Sequence, residues 1–247
     1  MGKVQGVNSM DNDLLIKGLS INWSEINEDS YLRKIDALKE LNSLFFSKNI
    51  TIFVGENGSG KSTLLEAIAI AYGFNPEGGT RNYNFSTYNS HSELCDAIRL
   101  CKGIKRSNWG YFLRAESFYN VATAEELYEG IDASRHYHQK SHGESFLQLV
   151  QNNFVGNSLY LLDEPEAALS PQRQLTLLYE IQHCIEDGSQ FIMVTHSPIL
   201  LGMPNAEILS FDSGPIHKIE YEDTDSYKIT KLFIENKEQL LNELLYK

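Results

Sequence analysis

The chain has 247 residues, 42% hydrophobic and 22% charged, the balance of a globular domain rather than a disordered or fibrous one. Its 33 acidic against 21 basic residues leave a formal charge of −12, which repels phosphate backbones at long range, so DNA stays open as a partner without support from the net charge. Three cysteines, Cys95, Cys101 and Cys184, with no C-x-x-C pair, exclude a disulfide framework and a zinc knuckle and point to reduced thiols. The longest apolar runs, SLYLLD and FIMV, fall far short of the ~20 residues that cross a bilayer. The N-terminus carries no apolar signal segment. The expectation is a cytoplasmic protein without direct membrane insertion.

In chain order, NITIFVG (Asn49 to Gly55) reads as a buried strand, and STLLEAIAIAYG (Ser62 to Gly73) as a helix that stops at Gly73. From Asn75 to Lys140 the composition turns to Asn, Ser, Tyr and Glu and suggests an inserted helical subdomain, the lobe running over about 75–155. NSLYLLDEP is a second buried strand, PQRQLTLLYEIQHCIEDG a helix opening at Pro171, and SQFIMVTHS a third strand. A hairpin turning at Asp212, Ser213 and Gly214 and two short helices, Asp225 to Glu235 and Lys237 to Tyr246, fill 206–247. Buried strands alternating with helices predict a single α/β domain over 1–247 with a mostly parallel sheet.

GENGSGKST, Gly55 to Thr63, satisfies G-x-x-x-x-G-K-[ST] between a buried strand and a helix, where a phosphate loop belongs. Gly55, Gly58 and Gly60 let the backbone curl so that N–H groups of Glu56, Asn57, Ser59 and their neighbours point at an anion, and the helix N-terminus favours the same charge. Lys61 is placed for the β- and γ-phosphates, and the hydroxyl of Ser62, next to Thr63, for Mg²⁺. LYLLDEP then delivers Asp163 and Glu164 at a strand's carboxyl end, Asp163 to hold Mg²⁺ through water and Glu164, pointing the other way, to orient or deprotonate the attacking water. FIMVTHSP ends a third strand with His196, a candidate γ-phosphate sensor. His136, His138 and His142 cluster without carboxylate or thiol partners at ligand spacing, so they read as a polar segment.

These segments, in this order, resemble the ABC-type branch of the P-loop ATPases, and within it the SMC and recombination-repair type. LLDEPEAALSP looks like Walker B with its D-loop, VTHSP like the His-switch, and the pattern is similar to short stand-alone bacterial AAA/ABC ATPases. The resemblance implies an ABC-ATPase-like head with a flanking antiparallel β part and an inserted helical subdomain. It also implies ATP and Mg²⁺ as cofactors, hydrolysis of ATP to ADP and phosphate, and a head-to-tail homodimer formed on ATP.

In such a dimer the partner's nucleotide is closed by a signature motif at a helix start before Walker B. KSHGE is the one candidate, with Ser141, Gly143 and Glu144 at the matching positions and His142 where the family has Gly. Ser141 and Glu144 also have the spacing of a capping box. Where the family has its Q-loop Gln stand Arg114 and Glu116, and Trp23, Tyr31 and Arg33 are candidates to meet adenine. No heptad run separates Ser62 from Ser141, so no SMC arm is expected. The expected role is a switch for a separately encoded effector in DNA maintenance or anti-phage defence. The alternative is the nucleotide-binding subunit of an ABC membrane transporter.

Overall fold

The computed structural model describes residues 14–80, 92–107, 109–114 and 142–246. Its elements begin with β1 (Ile16–Ile21), β2 (Ser43–Phe45), β3 (Ile50–Val54), α1 (Lys61–Tyr72), β4 (Gly79–Thr80), α2 (Leu94–Ala97), β5 (Ile98–Lys102) and β6 (Trp109–Arg114). They continue with α3 (His142–Asn153), β7 (Ser158–Asp163), α4 (Pro171–Glu186), β8 (Gln190–Val194), α5 (Pro198–Leu201), β9 (Glu207–Ser210), β10 (His217–Ile219), α6 (Asp225–Glu235) and α7 (Lys237–Leu245).

The central sheet has the order β10-β9-β3-β8-β7-β6-β4. Its five inner strands run parallel, and β10 and β4 close the edges antiparallel. Every residue of β3, β7 and β8 is buried, as expected of strands covered on both faces. One face packs α1 and a second, three-stranded antiparallel sheet, β2-β1-β5, around Leu64, Leu65, Ile68 and Phe112. The other face packs α3, α4 and α5 around Phe146, Leu177, Ile181 and Leu200. Helix α1 ends at Gly73 in the left-handed region (φ 108°), where Gly73 and Phe74 N–H groups reach back to Ala69 and Ile70 carbonyls.

Within 75–140 the described residues depart from a purely helical insertion. Only Leu94–Ala97 is helical, whereas β4 and β6 join the central sheet and β5 pairs with β1 over Ile98 to Lys102. Strand β5 is stabilised by a partner far away in sequence, a context that overrides the local pattern of IRLCK. Residues 115–141, on which the rest of that expectation falls, lie outside the described residues.

Two buried polar contacts tie the layers. Gln190, 1% exposed at the start of β8, accepts from Ile16 N–H at 2.8 Å and donates to Ile16 C=O at 2.9 Å. Its amide stands in for a ladder partner where the β1–β5 register shifts between Ile16 and Gly18. Gln190→Ala strands both main-chain groups in the core and is expected to lower unfolding stability by about 2–4 kcal/mol. Urea denaturation checks this as a lower midpoint at unchanged slope, and an unmoved midpoint would remove the bridge from the account. Glu207, at the start of β9, is the second contact: burial pushes its carboxyl up, but Lys218 and the Ser47 hydroxyl and N–H outweigh that and hold it below its usual range.

Burial pushes the Cys95 thiol up to about 12, helped by Glu66 and Asp96, and Cys184 up to about 11, so both stay protonated and unreactive at neutral pH. Among the described residues no helix is long and apolar enough to cross a membrane.

Candidate functional site

The loop from Gly55 to Gly60 joins β3 to α1 at the carboxyl edge of the parallel sheet, where ligands of open α/β sheets bind. Gly55, Gly58 and Gly60 have φ of 142°, 83° and 97°. Gly60 needs its missing side chain twice over, because a Cβ there would also stand 2.9 Å from Leu38 Cδ1. The loop wraps the Lys61 ammonium, which is 4% exposed and donates to the carbonyls of Gly55 at 2.7 Å and Glu56 at 2.6 Å. Desolvation pushes the Lys61 pKa down, and the charges of Asp212, Glu164 and Asp163 oppose it in that order. A buried cation held by two loop carbonyls at a helix start is suited to exchange those contacts for phosphate oxygens.

Ser62, on the first turn of α1, donates its hydroxyl to Asp163 Oδ1 at 2.9 Å. Two neighbouring oxygens of an octahedral Mg²⁺ site, each ~2.1 Å from the ion, lie about 2.9–3.0 Å apart, so this pair fits that cation. Asp163 is 9% exposed and closes β7. Glu164 follows with φ 49° and ψ 52°, the left-handed region that non-glycine residues seldom occupy. Its N–H still pairs with Val194 C=O at 3.0 Å. The two adjacent carboxylates have different partners, Ser62 for Asp163 and His196 for Glu164.

His196, just past β8, brings Nε2 to 3.8 Å from Glu164 Oε1, and Nε2 is enclosed without a hydrogen-bond partner among the described residues. Its own N–H donates to Glu166 Oε1 at 2.6 Å, in the turn after Walker B. Ser197 caps α5, accepting from Ile199 and Leu200 N–H, and donates to the buried Gln174 of α4 at 2.5 Å. Gln174 in turn donates to Leu169 C=O at 3.1 Å. The segments DEPEAALS and THSP thus form one hydrogen-bonded block.

Other expected residues have hydrogen-bond partners of their own. Arg114, in register with Asp163 on β6, donates to Glu66 Oε2 at 3.1 Å and Pro76 C=O at 3.3 Å, so its guanidinium is engaged with α1 and the loop after it. Glu116 lies outside the described residues. Arg33 caps the carbonyls of Trp23, Ile26 and Asn27 and covers the Trp23 ring, and Trp23 Nε1 donates to Leu41 C=O. Tyr31 donates to Ser92 Oγ at 3.2 Å. Arg33 and Trp23 thus have local structural work that needs no adenine.

Of the signature segment, Ser141 lies outside the described residues, α3 begins at His142 and includes Gly143, and Glu144 pairs with Arg173 at the start of α4, 3.2 Å apart.

Asp212 is a neighbour of the phosphate loop that sequence reasoning placed only in a turn. Phe211 N–H pairs with Val54 C=O at 2.9 Å, carrying the β9–β3 ladder one step further and setting Asp212 over the loop. Its Oδ1 accepts from Glu56 N–H at 2.8 Å, and a Cβ on Gly55 would stand 2.9 Å from that oxygen. A hairpin-turn aspartate carries no motif of its own, which is why only the pairing of β9 with β3 reveals it.

The AAA domain family model, AAA_23, matches residues 30–244. Phosphate import ATP-binding protein PstB 1 of Streptococcus agalactiae serotype III (strain NEM316) is 30% identical over 196 residues, covering 68% of this chain and 77% of that one. This chain belongs to the ABC-type P-loop ATPases. Members of this family bind ATP with Mg²⁺ and typically dimerise. The ABC-type ATPase is also 25% identical over 226 residues to PstB 1 of Vibrio cholerae serotype O1 (strain ATCC 39315 / El Tor Inaba N16961), covering 79% of this chain and 81% of that one. The SMC head domain from Thermotoga maritima aligns over 84% of this chain and 99% of that one, at 13% identity and a TM-score of 0.43.

Proposed function

We propose that the chain is an ATP-hydrolysing switch that dimerises head to tail on ATP and controls a separately encoded effector, in DNA maintenance or anti-phage defence. One observation carries the reaction: Lys61, Ser62, Asp163, Glu164 and His196 converge at the ends of three neighbouring strands, with Glu164 turned by a left-handed backbone toward His196. The link to DNA maintenance or defence rests on the likeness of DEPEAALSP and THSP to SMC-type proteins.

In this reading residues Gly55 to Thr63 hold the triphosphate by backbone N–H groups. Lys61 transfers its donors from the Gly55 and Glu56 carbonyls to β- and γ-oxygens. Ser62 and Asp163 hold Mg²⁺, which when bound neutralises charge on the phosphates. Glu164 accepts the proton of the attacking water, and His196, beside it, donates toward the γ-phosphate. Ser141, Gly143 and Glu144 of the second subunit complete the site at the start of α3, where main-chain N–H groups and the helix dipole favour an anion. The whole of 1–247 then works as one ATPase unit, with the signature lobe at about 75–155 and the hairpin and helices at 206–247.

A second reading has its own support, since the relatives named above are ATP-binding subunits of phosphate importers. In that case the chain serves a membrane-spanning partner from the cytoplasm.

Light scattering with Mg-ATP tests the switch: the molar mass is expected to double with ATP and return to that of one chain with ADP. A mass indifferent to nucleotide sinks the dimer switch. Mass spectrometry of what co-purifies with the ATP-held dimer then separates the readings, a multi-span apolar protein favouring the importer role.

A further inference from the structure

An aspartate beside a phosphate loop sets an anion against an anion, so it opposes the ligand unless it has other work there. Asp212 is such a residue, and its work is legible in one peptide group. The Gly55–Glu56 peptide is trans, so its C=O and N–H point in opposite directions. Lys61 Nζ donates to that C=O at 2.7 Å, and that N–H donates to Asp212 Oδ1 at 2.8 Å. A cation thus grips one end of the peptide and an anion the other, along the direction of its dipole.

This peptide needs holding. Gly55, at φ 142°, has no side chain to bias its backbone, so the plane that follows it rotates at little cost. When a triphosphate draws Lys61 away from the Gly55 carbonyl, the bond to Asp212 is the described contact that stays on this peptide. The same carboxylate fills the space beside Gly55, where a Cβ would stand 2.9 Å from Oδ1 and 3.2 Å from Cγ, so the glycine and the aspartate fit one another. Asp212 is itself held by the central sheet. Its N–H donates to Ser210 Oγ at 3.2 Å, Phe211 N–H pairs with Val54 C=O at 2.9 Å, and the buried Phe211 ring packs on Phe53 with centroids 5.0 Å apart. The group that fixes the start of the loop therefore comes from the continuation of β9, a part of the fold more rigid than the loop it holds.

We infer that Asp212 is a positioning residue for nucleotide binding, whose carboxylate pins the Gly55–Glu56 peptide so that the phosphate loop keeps its shape once Lys61 has moved to the phosphates. This rests on the ATPase reading proposed above and adds to it a residue of the C-terminal hairpin. The pin acts through the acceptor oxygen, whereas the negative charge works against the triphosphate. Its bond is to Glu56 and not to Ser62, Asp163 or Glu164, so its loss falls on binding rather than on the chemical step.

The test compares Asp212→Ala with Asp212→Asn in the full chain, since both remove the charge and only the asparagine keeps an acceptor for Glu56 N–H. Calorimetric titration with Mg-ATP is expected to give a dissociation constant about fivefold higher for the alanine variant than for the asparagine variant, the size of effect that one hydrogen bond has. KM for ATP should follow the same ratio, with kcat at saturating ATP within about twofold of the parent in both. Asp212→Leu, close to asparagine in shape but without an acceptor, should bind like the alanine variant, and it carries the comparison if the alanine chain does not fold. Alanine and asparagine variants within about twofold of each other in affinity overturn the pin and leave the ATPase reading standing. A kcat that falls in step with affinity overturns it too, because a distorted site and not a loosened loop would then be the cause. If the parent chain itself does not bind Mg-ATP, the ATPase reading fails and this role with it.

Discussion

Lys61→Ala is expected to raise the dissociation constant for ATP at least ~100-fold, the size of effect that follows from leaving enclosed charges uncompensated. The ammonium is the cation at the centre of the loop, 4% exposed, and the charges of Asp212, Glu164 and Asp163 all act on it. Without it the triphosphate meets two loop carbonyls that have lost their donor, with the charges of Asp212, Glu164 and Asp163 no longer offset. Calorimetric titration with Mg-ATP reads the loss, and circular dichroism shows that the fold survives. A variant that binds ATP within a few-fold of the parent would show that Gly55 to Thr63 is not the phosphate site.

Glu164→Gln separates binding from chemistry. The amide keeps the size and the left-handed turn but cannot take a proton, so kcat for phosphate release is expected to fall about 10²- to 10⁴-fold. ATP affinity should change only a few-fold, because Ser62, Asp163 and Lys61 are untouched. The same variant should hold the ATP-bound dimer long enough for light scattering. Unchanged turnover would move the base to another group, and Glu166, with Oε2 enclosed and without a hydrogen-bond partner among the described residues, is the nearest alternative in the same turn.

Much of the fold was legible because its signals are local. Strands buried on both faces must be apolar throughout, as ITIFV, SLYLLD and QFIMV are, and α1 and the β9–β10 hairpin end where Gly73, Ser213 and Gly214 supply positive φ. The stretch Ile98 to Lys102 was not legible as a strand. Its pairing depends on β1, far away in the chain, and on a register that no turn specifies.

The site divides in the same way. GENGSGKST, LLDEP and VTHSP name Lys61, Ser62, Asp163, Glu164 and His196 by themselves, because phosphate and metal chemistry demands those residue types at fixed offsets from a strand end. The tertiary structure alone brings His196 to Glu164, ties Glu166 to the His196 backbone, sets Asp212 on the loop and commits Arg114 to Glu66. Each of those contacts joins side chains that have no characteristic spacing in the chain, and strand order, not sequence pattern, decides which strand ends are neighbours. For the same reason helices α6 and α7 could be read from sequence as helices, while their lack of a buried face emerged only once the body they stand on was built.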